Sequence, residues 1–205
     1  MKIAIIVEGK TEKVFIPYLR PYLKDRLADR MPKVIPFCYD GRIPKEGKLQ
    51  RVVQNLLAGP NAADYVIALT DVYTGTFDFR DAADAKAKMR NWVGEEPRFY
   101  PHAAQYDFEA WLLPYWSTIQ KLAGHNKNAP SGNPEKVNHD KPPAYHIREI
   151  FEAGTCRDSY VKPRDAGRIL RGNDLSIAVN QCVELKALVD TIVELSGTGP
   201  VRAAG

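Results

Sequence analysis

The hydrophobic positions of this chain change period several times, and each change marks the boundary of an element. Lys2–Val7 is almost wholly apolar and β-branched, the pattern of a strand buried on both faces of a parallel sheet. Glu8 and Gly9 follow, and Thr11–Leu27 then carries Val14, Phe15, Tyr18, Leu19, Tyr22 and Leu23 at helical spacing. Gly9 would let the chain turn tightly, Thr11 would cap the new helix, and Pro17 and Pro21 are expected to bend or shorten it. Val34–Tyr39 reads as a second strand, placed towards an edge by Pro36. Leu49–Leu57 reads as a helix stopped by Gly59 and Pro60. Tyr65–Leu69, running into Thr70 and Asp71, is a third strand; Arg80–Trp92 is a helix and Phe99–Ala104 a fourth strand. Successive strands start about 30 residues apart, the length of one βαβ unit, so the expected fold is α/β, with a mostly parallel four-stranded sheet covered by helices on both faces.

From Tyr106 the pattern changes. Asp107–Tyr115 (DFEAWLLPY) reads as a helix opening on acidic residues, and Gly124–Pro143 as a long polar loop. Ala144–Phe151, Arg164–Leu170 and Leu175–Leu195 follow as helices, and the tail from Gly197 is expected to be disordered. The organisation predicted is an α/β core over residues 1–116, a helical extension packed on it over 117–196, and a tail over 197–205.

The totals narrow the function classes. With 205 residues and 44% hydrophobic positions the chain can bury a proper core, and its net charge of +4 permits an anionic partner without demanding one. Cys38, Cys156 and Cys182 are far apart and odd in number, which suits buried thiols in a reducing cytosol better than disulfides or a zinc knuckle. No signal peptide is read before the first strand and no apolar run is long enough for a bilayer, so a soluble cytoplasmic protein is expected. The sequence contains no P-loop, GxSxG or GxGxxG, and His102, His125, His139 and His146 lack metal-ligand spacing and read as surface or structural.

The candidate chemistry is acidic. In a parallel sheet the ends of strands one, three and four share one edge, which brings together Glu8, Asp71 and the pair Asp107 and Glu109. Being two apart at a helix start, Asp107 and Glu109 should not both face that site. Taken singly, each carboxylate is explained as a helix cap or a surface charge. Gathered, they would need a cation, and oxygen donors without convergent His or Cys favour Mg²⁺ or Mn²⁺. Among the basic residues, Lys10 is a phosphate contact or an exposed helix-entry lysine. Arg42, Lys45 and Lys48 share a loop, and Lys162, Arg164, Arg168 and Arg171 cluster late; both groups are either solvated surface or phosphate contacts. Trp111, Leu112 and Tyr115 should pack onto the sheet, while Tyr73 and Tyr106 adjoin the acidic positions and are candidates for base stacking.

VEGKTE after the first strand, an Asp-x-x motif after the third and a late acidic motif resemble the topoisomerase-primase (TOPRIM) superfamily, a Rossmann-like fold. With DFEAWLL, KPP and YVKPRDA, the chain more closely resembles small stand-alone TOPRIM-like proteins related to the overcoming-lysogenisation-defect nucleases. The resemblance implies Mg²⁺-dependent phosphodiester cleavage, with Glu8, Asp71, Asp107 and Glu109 as metal ligands and Glu8 as ligand or acid/base group. It also implies a downstream lysine assisting at phosphate, Lys162 first and Lys141 second, with Lys10, Arg42, Lys45, Lys48, Lys141 and Arg164 on nucleic acid. The partners it implies are DNA or tRNA and an ATPase encoded nearby, in bacterial antiphage defence, and a homodimer is a further expectation. The usual Asp-x-Asp is here Asp71-Val72-Tyr73; Asp78 is the nearest residue able to compensate. A catalytically silent subunit binding an ATPase or nucleic acid is the alternative reading, and a receiver-like phosphoacceptor at Asp71 a third, made less attractive by the long C-terminal half.

Overall fold

The structure, a computed structural model, describes residues 1–39, 41–73, 78–137, 141–156 and 159–198. Four strands, β1 (Lys2–Val7), β2 (Lys33–Cys38), β3 (Tyr65–Asp71) and β4 (Phe99–Ala104), form one parallel sheet in the order β2-β1-β3-β4. Pro36 lies in β2 and Pro101 in β4, both edge strands, where a missing N–H costs least. Alternation along β1 divides the core. Ile3, Ile5 and Val7 pack with α1 (Lys10–Leu27) and the C-terminal helices, while Ala4 and Ile6 pack with α2 (Glu46–Leu57) and α3 (Ala82–Val93).

Helix α1 runs unbroken through Pro17 and Pro21, contrary to the expected shortening. The two prolines are four apart and exposed, so the lost backbone bonds fall on the solvent side, while Phe15, Ile16, Leu19, Leu23 and Leu27 hold the other face in the core.

The segment 107–115 is not one helix. It forms two 3-10 turns, Phe108–Trp111 and Leu113–Tyr115, before α4 (Trp116–Ala123), because Pro114 has no N–H to continue a helix. Trp111, Leu112 and Tyr115 are buried in the main core, as expected. Then come α5 (Pro143–Ala153), α6 (Lys162–Leu170), α7 (Leu175–Gln181) and α8 (Val183–Thr198). The single helix expected over 175–195 is broken at Cys182, which is extended (φ −116°, ψ 108°). The break has a tertiary cause: the buried Glu135 carboxylate accepts the amides of Glu184 (3.0 Å) and Leu185 (3.4 Å) at the start of α8, and the indole N–H of Trp111 (3.0 Å).

Glu135 lies in a 3-10 turn, Pro134–Lys136, so the segment expected to be a long loose loop is anchored in its middle. Helix α8 extends to Thr198, past the start of the expected disordered tail; residues 199–205 lie outside the described residues, as do Asp40 and His139. One apolar cluster runs from Ile3 through Phe15, Trp111, Ile147 and Ile169 to Leu195, continuous across the boundary placed at 116. Of the three cysteines Cys182 is buried, whereas Cys38 and Cys156 are exposed and in no disulfide, which corrects the expectation of burial for those two. Among the described residues no helix is long and apolar enough to cross a membrane.

Helices α4 and α5 meet where Gly154 passes Ala123. A Cβ at Gly154 would lie 1.9 Å from the Ala123 carbonyl oxygen, a backbone atom that cannot step aside. Gly154→Ala is therefore expected to lower stability by about 1–3 kcal/mol, read by urea unfolding. Gly47→Ala in α2, where nothing lies within 4 Å, should raise it by about 0.4–1 kcal/mol. Equal effects at the two glycines would show that the α4–α5 approach is not tight.

Candidate functional site

The carboxyl ends of β1, β3 and β4 share one edge, as parallel strands require. Glu8 follows β1 directly. Its Oε1 accepts the Asp71 amide (3.3 Å) and the buried Thr70 hydroxyl, which ties it to the end of β3. Past β4, Tyr106 takes a left-handed backbone (φ 69°), Asp107 is extended, and Glu109 lies in the first 3-10 turn. Phe108 and Trp111 lock that turn against Phe15 of α1, with ring centroids 5.4 and 5.8 Å from it. Both acidic residues are buried, Asp107 at 4% exposure and Glu109 at 0%. The expectation that only one could face the site assumed helical spacing, which an extended residue followed by a 3-10 turn does not have.

Glu109 is held at both oxygens. Tyr160 OH donates to Oε1 (3.1 Å), and Lys162, the first residue of α6, donates to Oε2 (3.0 Å). Two participants were not singled out from sequence. Glu12 is buried one turn into α1 and accepts the Gly9 amide (3.1 Å); this bond, rather than Thr11, covers the helix start, and Gly9 itself is ordinary extended backbone (φ −146°). The Gly-x-x-Glu spacing of a capping box was the available signal. Tyr160 carried no signal beyond its place in YVKPRDA.

Each of these groups feels the charge of several of the others. Burial, then repulsion from Glu12, raises the Glu8 carboxyl to about 7 against the pull of Thr70, Asp71 and Arg42. Burial and then Glu12, Glu8, Asp107 and Glu109 push Asp71 well above the carboxylate range. Burial and Glu109 raise Asp107 to about 8. Burial alone would lower Lys162, but the attraction of Glu109, Asp107 and Asp71 wins and raises it. Five carboxylates (Glu8, Glu12, Asp71, Asp107 and Glu109) therefore lie within electrostatic reach of one another, with Lys162 and Arg42 as the cations they feel.

The donor set suits a hard divalent ion: oxygen only, too much negative charge for a buried site, and one buried oxygen, Asp107 Oδ1, with no partner. Asp107 Oδ2 meanwhile accepts the Ala144 amide (3.1 Å) and so also caps α5. Among the described residues no three Asp, Glu, His or Cys side chains are already drawn into a metal-ligand cluster. The chemistry fits an ion, and the carboxylates would have to close around it.

The basic residues separate. Arg42 is exposed and acts on Glu8, and Lys10 is exposed at the first position of α1. Lys48 is exposed on α2, Lys141 lies over the Tyr145 ring (4.2 Å), and Arg164 is held by Asp165 and the Ser159 carbonyl. Lys45 pairs with Asp78 (2.6 Å), so Asp78, the suggested substitute for a second strand-end carboxylate, is engaged by a lysine. His102 is buried on β4 and pushed down to about 4 by burial, then Lys86 and Arg90, which favours its neutral form.

A family model described as a domain of unknown function, DUF4276, matches residues 7–193. No curated protein matches the chain. The C-terminal region of the Burkholderia pseudomallei OLD protein is similar with a TM-score of 0.53 and 14% identity, over 95% of this chain and 98% of that one. The corresponding region of the Xanthomonas campestris pv. campestris OLD protein gives 0.50 at 13% identity, over 95% of each chain. At these identities the likeness speaks for the fold alone, and that fold is the Rossmann-type α/β architecture with a parallel four-stranded sheet expected from the sequence.

The raised carboxyls fix the sign of a pH dependence. Glu8 and Asp107 hold their protons to about 7 and about 8 when folded, against ordinary values of 4.5 and 3.8. The folded chain therefore binds more protons than the unfolded one between those limits, and the stability involved is complete below the lower values and lost as pH rises through the upper ones. The melting temperature of the metal-free protein should fall from pH 5 to pH 8.5. Mg²⁺ should restore it, more at higher pH, and Glu8→Gln should flatten the metal-free profile. A metal-free profile that rises over this range would contradict the assignment.

Proposed function

This chain belongs to the DUF4276 family, and we propose that it is a metal-dependent nuclease of TOPRIM-like fold that cleaves phosphodiester bonds of DNA or RNA. The observation that carries the reading is the convergence of Glu8, Glu12, Asp71, Asp107 and Glu109 on one sheet edge, with Lys162 drawn onto them. Glu8, Asp71 and Asp107, the last through its unpartnered Oδ1, would hold Mg²⁺ or Mn²⁺, with Glu12 and Glu109 adjoining. When bound, such an ion supplies charge neutralisation at a phosphate oxygen and a more acidic water.

The chain's own residues do the positioning. Thr70 and the Asp71 amide fix Glu8 through Oε1, and Oε2 would be the atom offered to an ion. Glu109 and Tyr160 orient the Lys162 ammonium, which would stabilise the charge that develops on phosphate. Lys10 and Arg42, exposed at the rim, would take flanking backbone phosphates. An effector role beside a partner ATPase in bacterial antiphage defence rests on the resemblance to stand-alone TOPRIM-like proteins.

The test is cleavage of plasmid, single-stranded DNA and total tRNA with Mg²⁺ or Mn²⁺. Glu8→Ala and Lys162→Ala should each lower the rate at least about 100-fold, with EDTA abolishing it. Absence of metal-dependent cleavage of every substrate, or full activity in Glu8→Ala, would refute the reading.

A second reading, a catalytically silent subunit that binds an ATPase or nucleic acid, is favoured by Tyr73 at the usual position of a second Asp and by the engagement of Asp78 with Lys45. Calorimetric titration with Mn²⁺ separates the two. A nuclease should bind the ion and lose it in Asp71→Ala; a silent subunit should release no binding heat.

A further inference from the structure

Two tyrosines stand where the strand-end carboxylates meet solvent. Tyr73 lies two residues beyond Asp71, and Tyr106 immediately precedes Asp107. Their rings pack at 5.2 Å between centroids, tilted by 54°. The backbone joins them as well: the Tyr73 amide donates to the Tyr106 carbonyl at 2.6 Å, and Val72 to Ala104 at 3.1 Å, so the β3–β4 pairing continues past the sheet and carries both rings on one rigid lip.

Neither ring is placed as a core residue would be. Tyr73 is 42% exposed, one of the few exposed large hydrophobic residues described, and Tyr106 is half-buried. Tyr106 also occupies a left-handed backbone (φ 69°), a conformation that glycine or asparagine adopts more cheaply. An aromatic residue kept at a strained position, beside a second one left open to water, calls for a role that needs the ring. The surroundings suit that role: Lys10 is exposed two residues after Glu8, and Arg42 is exposed and within electrostatic reach of the Glu8 carboxylate.

We propose that Tyr73 and Tyr106 form a stacking platform for an unpaired nucleobase, so that the site takes single-stranded or looped nucleic acid in preference to continuous duplex. This rests on the reading of the edge as a nucleic-acid site and adds its substrate class. A base can lie on an exposed aromatic face only when it has left its own stack, whereas a duplex offers the rim its phosphates alone. Tyr73 stands at the position where the resembled pattern has a second carboxylate, so a ring face takes the place of a charge there. The hydroxyls are dispensable to stacking; the faces are not.

The experiment uses the full chain, with Ca²⁺ in place of Mg²⁺, and one oligonucleotide carrying 2-aminopurine, presented single-stranded and as a blunt duplex. The wild type should bind the single strand at least about tenfold more tightly and quench its fluorescence. Tyr73→Ala and Tyr106→Ala should each weaken single-strand binding about tenfold and leave duplex binding unchanged, while Tyr73→Phe and Tyr106→Phe keep wild-type affinity. Tyr106→Asn serves as the folding control: it suits the left-handed backbone, so it should match or exceed wild-type stability and still lose affinity. Equal binding of both strands, or wild-type affinity in Tyr73→Ala, overturns this proposal alone. Binding of neither strand overturns the nucleic-acid reading and the platform with it.

Discussion

Parallel strands bring all their carboxyl ends to one edge, and this chain fills that edge with negative charge. Glu8, Asp71 and Asp107 each follow or end a strand, Glu12 adds a fourth carboxylate from the first turn of α1, and Glu109 a fifth. Such groups repel one another, and burial makes each harder to ionise; the price of the arrangement is visible in carboxyls pushed towards neutrality. Apolar packing behind them keeps them together. Phe15, Phe108 and Trp111 interlock the helix that carries Glu12 with the turn that carries Glu109, and each large buried side chain of this kind is worth about 1.5–3 kcal/mol. Packing enforces what electrostatics opposes, the condition under which a bound cation gains most.

The C-terminal helices are part of that condition. Tyr160 and Lys162 reach Glu109 from the start of α6, and α6 is drawn against α1 by the Tyr18 hydroxyl on the Gly167 carbonyl at 2.9 Å. A side chain at Gly167 would meet Val14 at 3.1 Å, so the close approach of the two helices is specified on both surfaces. The two polar ends of this contact differ in purpose: the Tyr18 bond fixes the helices, while the Lys162 bond fixes a charge within the anionic cluster. A helical extension that merely covered the sheet would need the first and not the second.

The regular part of the fold was legible in the sequence because its signals are local. Apolar and aromatic runs gave the four strands, Pro36 gave an edge, and the βα period gave the parallel sheet. The site was legible as far as the strand ends. Asp71 and Glu8 lie at the strand ends, where topology alone puts them, and Lys162 bonds Glu109. What was missed depends on contacts between distant segments. Glu12 looks like one more surface acid of a helix until Gly9 and the sheet edge close over it. The break at Cys182 is invisible without Glu135, and the 3-10 turns after Asp107 depend on Pro114 in a segment whose apolar spacing is otherwise helical. Burial of both Asp107 and Glu109 follows from that same departure from helical geometry.

The edge also shows what loss of one carboxylate does to the others. A second acid in place of Tyr73 would have added a further negative charge to groups already raised by mutual repulsion. The ring there removes that charge, and the nearest alternative acid, Asp78, is neutralised by Lys45 at 2.6 Å. Of the five charges the remaining carboxylates would carry if all were ionised, Lys162 balances one. Its ammonium supplies that positive charge from a fixed position on Glu109 at 3.0 Å, so one counter-charge of the cluster is covalently attached to the chain.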